Sequence, residues 1–379
     1  MKKNFLTTTG KKHKGLVLSD LHMGHHRVPA SKVIAVKEKI LTLDNLSTVD
    51  CIYESGDLFD KSLTLNNNAI PAIIEHYTDL IETCVKTNTA LRILEGTPSH
   101  DAKQAKIIEA LHNSLGSTCD FKYITDISIV YEPKWDLNVL YIPDEARPTT
   151  SAIYAEVKRQ MEALGLEEVD LAIMHGQFDF QLPAVAKAPK HDSELYLGFV
   201  KHFIFIGHDH NHKHKDRIVI PGSLECLRFG ESKPKGYLTF SIDEANGNKW
   251  AFHENVEATV WDDVDIQGLS PEESLDKISK ATKYAPDGSH YRLLMEREHA
   301  FNAGFNQLNT HFVHVNLYKQ IQGETNVLEE VEPDNLPEMV SVTITSSNAK
   351  ELLLNRVSNE SEAFINTCSK LLDKAIKGR

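Results

Sequence analysis

One stretch near the middle of the chain constrains the fold most, because an apolar run leads directly into a glycine and two histidines. Residues 203–210 read FIFIGHDH. A short apolar run that ends at a glycine predicts a buried strand that stops where a loop begins. Side chains two apart lie on the same side of an extended chain, so His208 and His210 are candidate metal ligands. The alternative is a surface histidine pair, which the nearby His212 and His214 favour.

The same pattern of a short apolar strand followed by polar side chains occurs four more times. The predicted strands are 15–19, 51–53, 90–94 and 170–174, and the side chains that follow them are Asp20 with His22, Asp57, His100 with Asp101, and His175. Apolar residues at helical spacing in 30–43, 70–85 and 103–115 separate the first strands. Strands that alternate with helices predict an α/β sheet with parallel neighbours. In such sheets ligands bind outside the carboxyl ends of the strands, where these polar residues lie.

The remainder of the chain adds strands and then a region without the ligand pattern. Further strands are predicted at 123–131, 137–142, 217–220, 236–242, 250–253, 291–295 and 339–344, helices at 151–164 and 350–377, and a loop at 177–192. Ser270 and Glu273 form a capping box that predicts a helix start. The ligand pattern stops near residue 256. We therefore predict a first domain of residues 1–255, a second of residues 256–349, and a helical segment of residues 350–379.

The composition bounds the class of protein. The 379 residues carry a formal net charge of −13, which argues against binding of polyanions by bulk charge. It does not exclude nucleic acid as a substrate, because bound divalent metals supply local positive charge. No apolar run is long enough to span a membrane, and the basic N-terminus lacks the apolar core of a secretory signal. Five scattered cysteines indicate reduced thiols in a cytoplasmic protein.

The collected side chains point to metal chemistry. Six candidate ligands stand at strand ends: Asp20, His22, Asp57, His175, His208 and His210. Mixed carboxylate and imidazole ligands suit Mn²⁺, Fe²⁺ or Zn²⁺ better than Mg²⁺, which prefers oxygen. One carboxylate can bridge two ions about 3.5–4 Å apart and position a hydroxide between them to attack phosphorus. His100, at another strand end, can then act as an acid toward the leaving oxygen or hold the phosphate.

These motifs, in this order, resemble those of the calcineurin-like metallophosphoesterases over about residues 14–225. The resemblance implies an α/β sandwich of four layers, in which two central β-sheets are flanked by helices, and a site for two divalent ions. Carried over by position, the first ion takes Asp20, His22 and His210, the second takes His175 and His208, Asp57 bridges them, and His100 with Asp101 is catalytic. The family usually has Gly-Asn-His-Asp at the third motif, and its asparagine binds the second metal. Here Ser99 takes that place, with two residues inserted after Gly96, so we expect Ser99 or a water as the replacement ligand and a more weakly bound second ion.

A second segment indicates which subgroup of the metallophosphoesterases the chain resembles. Residues 220–231 (IPGSLECLRFGE) and 235–237 (KGY) are similar to the stretch after the last metal motif in the SbcD-type DNA-repair nucleases. Residues 263–270 resemble the start of their small α+β capping domain. This likeness implies a manganese-dependent exonuclease and endonuclease of DNA repair and recombination. It also implies a homodimer with an SbcC-like ATPase as partner. The helical segment 350–377 is a candidate docking element for that partner, and the alternative is that it packs on the core of its own chain. The sequence assigns no DNA contact.

Two other functions stay open at this point. A phosphoesterase acting on a small phosphorylated molecule or nucleotide would share every metal ligand. A binding subunit without activity would keep the fold, and the loss of the asparagine favours it. The presence of both Asp57 and His100 favours an enzyme.

Overall fold

The computed structural model describes residues 10–64, 67–183, 188–231 and 234–323. The strands are β1 (Lys12–Leu18), β2 (Cys51–Ser55), β3 (Ala90–Leu94), β4 (Phe121–Ile124), β5 (Ser128–Glu132), β6 (Leu137–Ile142), β7 (Val169–His175), β8 (Val200–Gly207), β9 (Lys213–Lys215), β10 (Ile218–Ile220), β11 (Gly236–Asp243), β12 (Lys249–Glu254), β13 (Trp261–Asp265), β14 (Ser289–Met295) and β15 (Val315–Ile321). The helices are α1 (Ala30–Ile40), α2 (Leu43–Leu46), α3 (Ala69–Thr87), α4 (Pro98–Asp101), α5 (Lys106–Ser114), α6 (Thr150–Leu164), α7 (Ser193–Leu197), α8 (Pro271–Thr282), α9 (Ala300–Ala303) and α10 (Phe305–His311). The predicted strand 339–344 and helical segment 350–377 lie outside the described residues.

Two six-stranded sheets form the centre of the molecule. The first has the order β12-β11-β1-β2-β3-β4, and the second has the order β5-β6-β7-β8-β10-β9. Within them β1 to β4 run parallel, as do β6, β7, β8 and β10, while β5, β9, β11 and β12 pair antiparallel with their neighbours. Every residue of β2, β3 and β7 is buried. Burial on both faces explains why these strands are nearly continuous apolar runs in the sequence.

Three apolar cores stack the sheets and helices into layers. The sheets pack face to face through side chains such as Tyr53, Tyr141 and Phe205. Helices α1, α3 and α5 cover the outer face of the first sheet, and α6 covers that of the second. The order helix, sheet, sheet, helix confirms the predicted α/β sandwich of two central sheets flanked by helices.

A third, smaller sheet follows the hairpin of β11 and β12. Its strands β13, β14 and β15 are all parallel, and α8 and α10 pack on it around their own apolar core. The α8 helix begins as predicted, since Ser270 Oγ accepts from the Glu273 amide and the Glu273 carboxylate accepts from the Ser270 amide. The predicted domain bounds stay a prediction.

The predicted single strand 123–131 is wrong, because the chain changes sheets within it. β4 ends at Ile124 in the first sheet, and β5 begins at Ser128 in the second. Ile124 packs in the core between the sheets, whereas Ile127 packs in the core under α6. Two other boundaries also differ from the sequence prediction: α5 begins only at Lys106, and α1 ends at Ile40 before the separate short helix α2.

The structure can be compared with two expectations from composition, on cysteines and on membrane spans, for the described residues. The four cysteines there are buried and form no disulfide. None of the described helices is long and apolar enough to cross a bilayer.

Candidate metal centre

The polar turns that follow β1, β2, β7 and β8 meet at one edge of the two packed sheets. Asp20 and His22 follow β1, and Asp57 follows β2 in the same sheet. His175 is the last residue of β7, and His208 follows β8, so the second sheet supplies the other side. The carboxyl ends of these parallel strands point the same way, and sheet packing therefore brings the side chains together.

The first group consists of Asp20, His22 and His210. One ligand atom from each lies within 4.8 Å of the others. The Nε2 atoms of His22 and His210 are 3.1 Å apart, and His210 Nε2 is 3.9 Å from Asp20 Oδ1. Asp20 and His22 are buried, and His210 is largely buried. The ligands predicted for the first ion are thus close enough to share one.

The second group consists of Asp57, His175 and His208, again with ligand atoms within 4.8 Å. His175 Nε2 lies 3.3 Å from Asp57 Oδ2. His208 is held by its own backbone, since its amide donates to both carboxylate oxygens of Asp20 at 3.0 and 3.2 Å. The backbone of one predicted ligand therefore ties the two groups together.

Asp57 lies between the groups. Its Oδ2 atom is 3.7 Å from His22 Nε2 and 3.3 Å from His175 Nε2, so one oxygen faces a histidine of each group. Its Oδ1 atom accepts a 2.6 Å hydrogen bond from the Thr97 amide. Burial alone would raise the pKa of Asp57, but the histidines, His175 first, reverse this and hold that pKa well below its usual range. Asp57 is therefore an ionised carboxylate positioned to bridge.

The hydrogen bonds of His175 show that this group suits a cation. Its Nδ1 lies 2.7 Å from the carbonyl oxygen of Ser55, to which a ring nitrogen can only donate. In neutral His175 the Nε2 lone pair therefore faces the Asp57 carboxylate, and Nε2 is buried with no hydrogen-bond partner among the described residues. Burial lowers the pKa of His175, yet Asp57 outweighs this and places that pKa well above its usual value. A proton or a metal ion is needed between the two side chains.

In the first group, the ring nitrogens of His210 and His22 are likewise arranged to suit a cation. His210 Nδ1 lies 2.7 Å from Glu231 Oε1, a carboxylate that can only accept. Its Nε2 is thereby left to face the ring nitrogen of His22. Burial lowers the pKa of His22 well below its usual value, so that ring stays neutral. Burial lowers the pKa of His210, but the hydrogen bond to Glu231 and the charge of Asp20 outweigh this and raise that pKa above its usual value. Imidazoles beside carboxylates form a donor set that fits a divalent transition metal.

Four of the predicted ligands have a backbone conformation that non-glycine residues seldom adopt. The φ angles are 51° at Asp20, 42° at His22, 51° at Asp57 and 93° at His208. Positive φ costs about 1–3 kcal/mol at such residues and persists where the surrounding structure enforces it. The occurrence of positive φ at four candidate ligands indicates that these turns are held in place to form a functional site.

Gly207, the residue before His208, explains why a glycine ends the strand. A Cβ atom there would lie 2.1 Å from Ser19 Oγ and 2.8 Å from His175 Nδ1. Gly56, before Asp57, has φ of 97°, and its Cβ would lie 2.1 Å from the same ring nitrogen. Both glycines make room for His175 between the turns.

His100 and Asp101 lie on the short helix α4, beside the first group. His100 Nδ1 is 2.5 Å from the carbonyl oxygen of Asp60, and its ring centre is 4.8 Å from that of His22. Asp101 is buried and accepts from the amides of Phe59 and Gly96. Burial and the nearby Asp57 raise the pKa of Asp101 to about 8. His100 can reach a ligand of the centre, whereas Asp101 positions the loops after β2 and β3.

The structure does not bring Ser99 to the centre. Its side chain is exposed on α4, and Thr97 lies there instead. Thr97 Oγ1 is 3.3 Å from Asp57 Oδ2 and 3.3 Å from His208 Nδ1. Because α4 turns its second residue outward, the polar residue directly after Gly96 faces the site.

Sequence reasoning also missed two carboxylates. Asp144 Oδ2 is 3.6 Å from His208 Nδ1, and Glu231 contacts His210 as described above. Asp144 follows β6 by two residues and so repeats the strand-then-carboxylate pattern. Glu231 stands in the loop between β10 and β11, where no local pattern marks it.

A groove of about 440 Å³ opens beside the turn that carries His208 and His210. Gln177, Arg228 and Phe229 also line it. The second and first ligand groups, through His208 and His210, therefore border an open groove that also contains a cationic side chain, Arg228.

Comparisons with known proteins add little to this description. The sequence matches no protein-family model and no curated protein. Among solved structures, TT1561 of Thermus thermophilus is 12% identical, with a TM-score of 0.37 over 63% of this chain and 98% of that chain. A second solved structure is 9% identical, with a TM-score of 0.38 over 64% of this chain and 99% of that one. Scores this low carry no argument, so the fold assignment rests on the sheet order and the layers.

Proposed function

We propose that this protein is a two-metal phosphodiesterase of the metallophosphoesterase type. The observation that carries the proposal is the position of Asp57 Oδ2, which faces a histidine of each ligand group at 3.7 and 3.3 Å. A carboxylate shared by two groups of neutral and acidic ligands is what two adjacent divalent ions require.

Asp20, His22 and His210 would hold one ion, His175 and His208 the other, and Asp57 both. Mn²⁺ is the expected metal, since the donors combine imidazole with carboxylate. When bound, two such ions supply a nucleophile from water and neutralise charge on the phosphoryl oxygens. The residues of the chain supply the fixed frame, because the turns and hydrogen bonds described above leave the ligand atoms little freedom.

His100 is suited to proton transfer toward the leaving oxygen. Its Nδ1 is committed to the carbonyl oxygen of Asp60, so Nε2 is the nitrogen that can exchange a proton with substrate. The ring is partly exposed and lies beside His22. A histidine with one nitrogen fixed and the other open to the site is the usual arrangement for a general acid.

DNA is the substrate class that we propose first. The sequence likeness to SbcD-type nucleases supports it, as does the third sheet, which contacts the loop bordering the groove through Phe229 and Trp261. An added unit beside an open metal centre offers surface for a polymer. An SbcC-like ATPase partner, a homodimer and a role in DNA repair or recombination belong to this proposal and rest on the sequence likeness alone.

The groove favours a second candidate, hydrolysis of a small phosphorylated molecule. Its volume of about 440 Å³ lies within the range of small-molecule sites. Arg228, which lines it, could pair with a phosphate.

The test is hydrolysis by the purified protein with Mn²⁺ of linear duplex DNA, single-stranded DNA and bis(p-nitrophenyl) phosphate. His100→Ala should lower the active rate about 10²- to 10⁴-fold. The matched control is His112→Gln, whose ring contacts the Cys119 carbonyl at the opposite end of the first sheet. DNA cleavage that is lost only in His100→Ala supports the nuclease, and ester turnover with intact DNA supports the second candidate. Absence of turnover on all three substrates, in protein that binds two Mn²⁺ ions, would overturn the enzyme proposal.

A further inference from the structure

The second ligand group has a carboxylate neighbour that comes from a different strand. Asp144 follows β6, which neighbours β7 in the second sheet. Its Oδ2 atom lies 3.6 Å from His208 Nδ1. The position is close to His175 as well, because a Cβ atom on the next residue, Gly176, would lie 3.4 Å from Asp144 Oδ1.

The Asp144 carboxylate is oriented toward the group. Its Oδ1 atom accepts a 2.9 Å hydrogen bond from the Glu145 amide, which leaves Oδ2 directed at Thr97 and His208. The side chain is 17% exposed. Among the described residues, no lysine or arginine forms an ion pair with it, so its negative charge is compensated by no permanent cation.

The hydroxyl of Thr97 shows that the charges here are not balanced by hydrogen bonds. Thr97 Oγ1 lies 3.2 Å from Asp144 Oδ2, 3.3 Å from Asp57 Oδ2 and 3.3 Å from His208 Nδ1. A hydroxyl has one proton and can donate to only one of these acceptors. Two carboxylates and an imidazole thus converge on one hydroxyl that can satisfy only one of them, and a cation would satisfy all three.

We propose that Asp144 is a ligand of the second metal ion, together with His175, His208 and the shared Asp57. This inference rests on the proposed two-metal function. With Asp144 included, the two ions have the same types of ligand: each has two histidines, one carboxylate of its own and the shared Asp57. Asp144 stands to the second ion as Asp20 stands to the first. We therefore expect two ions of similar affinity rather than a weak second ion.

The test is metal binding, measured without turnover. Metal-free protein is titrated with Mn²⁺ by calorimetry, and bound metal is counted by elemental analysis after dialysis. Wild-type protein should bind two equivalents. Asp144→Ala and Asp144→Asn should bind the second more than about 10-fold more weakly, as should His175→Ala. The matched control Glu145→Gln, which changes the exposed neighbouring carboxylate, should keep both.

Paramagnetic resonance provides a second readout. Two coupled Mn²⁺ ions give a different spectrum from one isolated ion. At two added equivalents, wild type should therefore show the coupled signal and Asp144→Asn the isolated-ion signal. Asp144→Asn preserves the shape of the side chain and carries the test if Asp144→Ala does not fold. Two tight equivalents in both Asp144 variants would overturn the role of Asp144 alone. Fewer than two equivalents in wild type would overturn the two-metal function itself.

Discussion

Glu231 Oε1 lies 2.7 Å from His210 Nδ1, and this contact decides which ring nitrogen of His210 faces Asp20 and His22. Glu231 is itself fixed by Lys235, whose Nζ lies 2.6 Å from Oε2. Burial would raise the pKa of Glu231, but His210 and Lys235 lower it to about 2. A carboxylate behind a ligand histidine fixes the tautomer and raises the basicity of the ligand.

Glu231→Gln should therefore weaken Mn²⁺ binding at the first group by about 10- to 100-fold. The amide can still accept from His210, but it carries no charge to support the ring. Calorimetric titration measures the effect, and Glu194→Gln, at an exposed carboxylate, is the control. Equal affinities for Glu231→Gln and wild type would show that Glu231 does not position His210.

Asp57→Asn should lose both Mn²⁺ equivalents, whereas Asp20→Asn should lose one. The reason is that Asp57 Oδ2 faces a histidine ring of each group, while the Asp20 carboxylate shares a ligand group only with His22 and His210 and meets the second group only through the backbone amide of His208. Elemental analysis after dialysis distinguishes the two variants. Retention of one ion by Asp57→Asn would contradict a shared carboxylate.

Gly207→Ala should lower the free energy of unfolding by about 1–3 kcal/mol. The added methyl would meet Ser19 Oγ and His175 Nδ1, which are both buried. Chemical denaturation measures the change. Gly304→Ala, where a Cβ atom has no neighbour closer than 3.9 Å, should leave the free energy nearly unchanged, and an equal loss in both variants would refute the steric explanation.

Because His76 is buried in its neutral form, we expect the free energy of unfolding to fall in mild acid. Burial, with a smaller contribution from Lys37, lowers the pKa of His76 to about 2. A histidine with a depressed folded-state pKa contributes fully above its unfolded value of about 6.5, and the contribution declines as the pH falls below that value. Between pH 7.5 and 5 the expected loss is about 2 kcal/mol.

His76→Leu removes that titration, so the variant should lose about 2 kcal/mol less than wild type over the same pH range. Denaturation of the metal-free protein at both pH values measures the difference. His311→Ala, at an exposed residue of α10, is the control and should follow wild type. Parallel pH profiles for His76→Leu and wild type would rule out His76 as the source.

The sequence was sufficient to predict the six candidate ligands because strand ends are marked locally, whereas their division into two groups came from the family resemblance. An apolar run shows where a strand stops, and parallel topology then brings the following side chains to one edge. This argument alone was enough to identify Asp20, His22 and Asp57 as candidate ligands. The same reasoning would have found Asp144, had the residues after β6 been treated like those after the other strands.

Other features depend on geometry that a linear pattern does not contain. Ser99 and Thr97 are both polar and both follow Gly96, and only the rotation of α4 decides which one faces Asp57. The break between β4 and β5 lies within a run of strand-forming residues, and it is set by which core each isoleucine enters. Glu231 reaches His210 across 21 residues of sequence, so tertiary structure alone reveals it.

The loop of residues 223–231 contacts the candidate metal centre through Glu231 and the third sheet through Phe229. Glu231 holds His210, while the Phe229 ring packs on Trp261 at 5.2 Å and beneath the Arg292 guanidinium at 4.7 Å. Thermodynamic linkage follows from this shared segment. If displacement of Phe229 by a molecule that binds the third sheet also moves Glu231, metal affinity at His210 changes, and metal loading then changes the affinity for that molecule by the same factor.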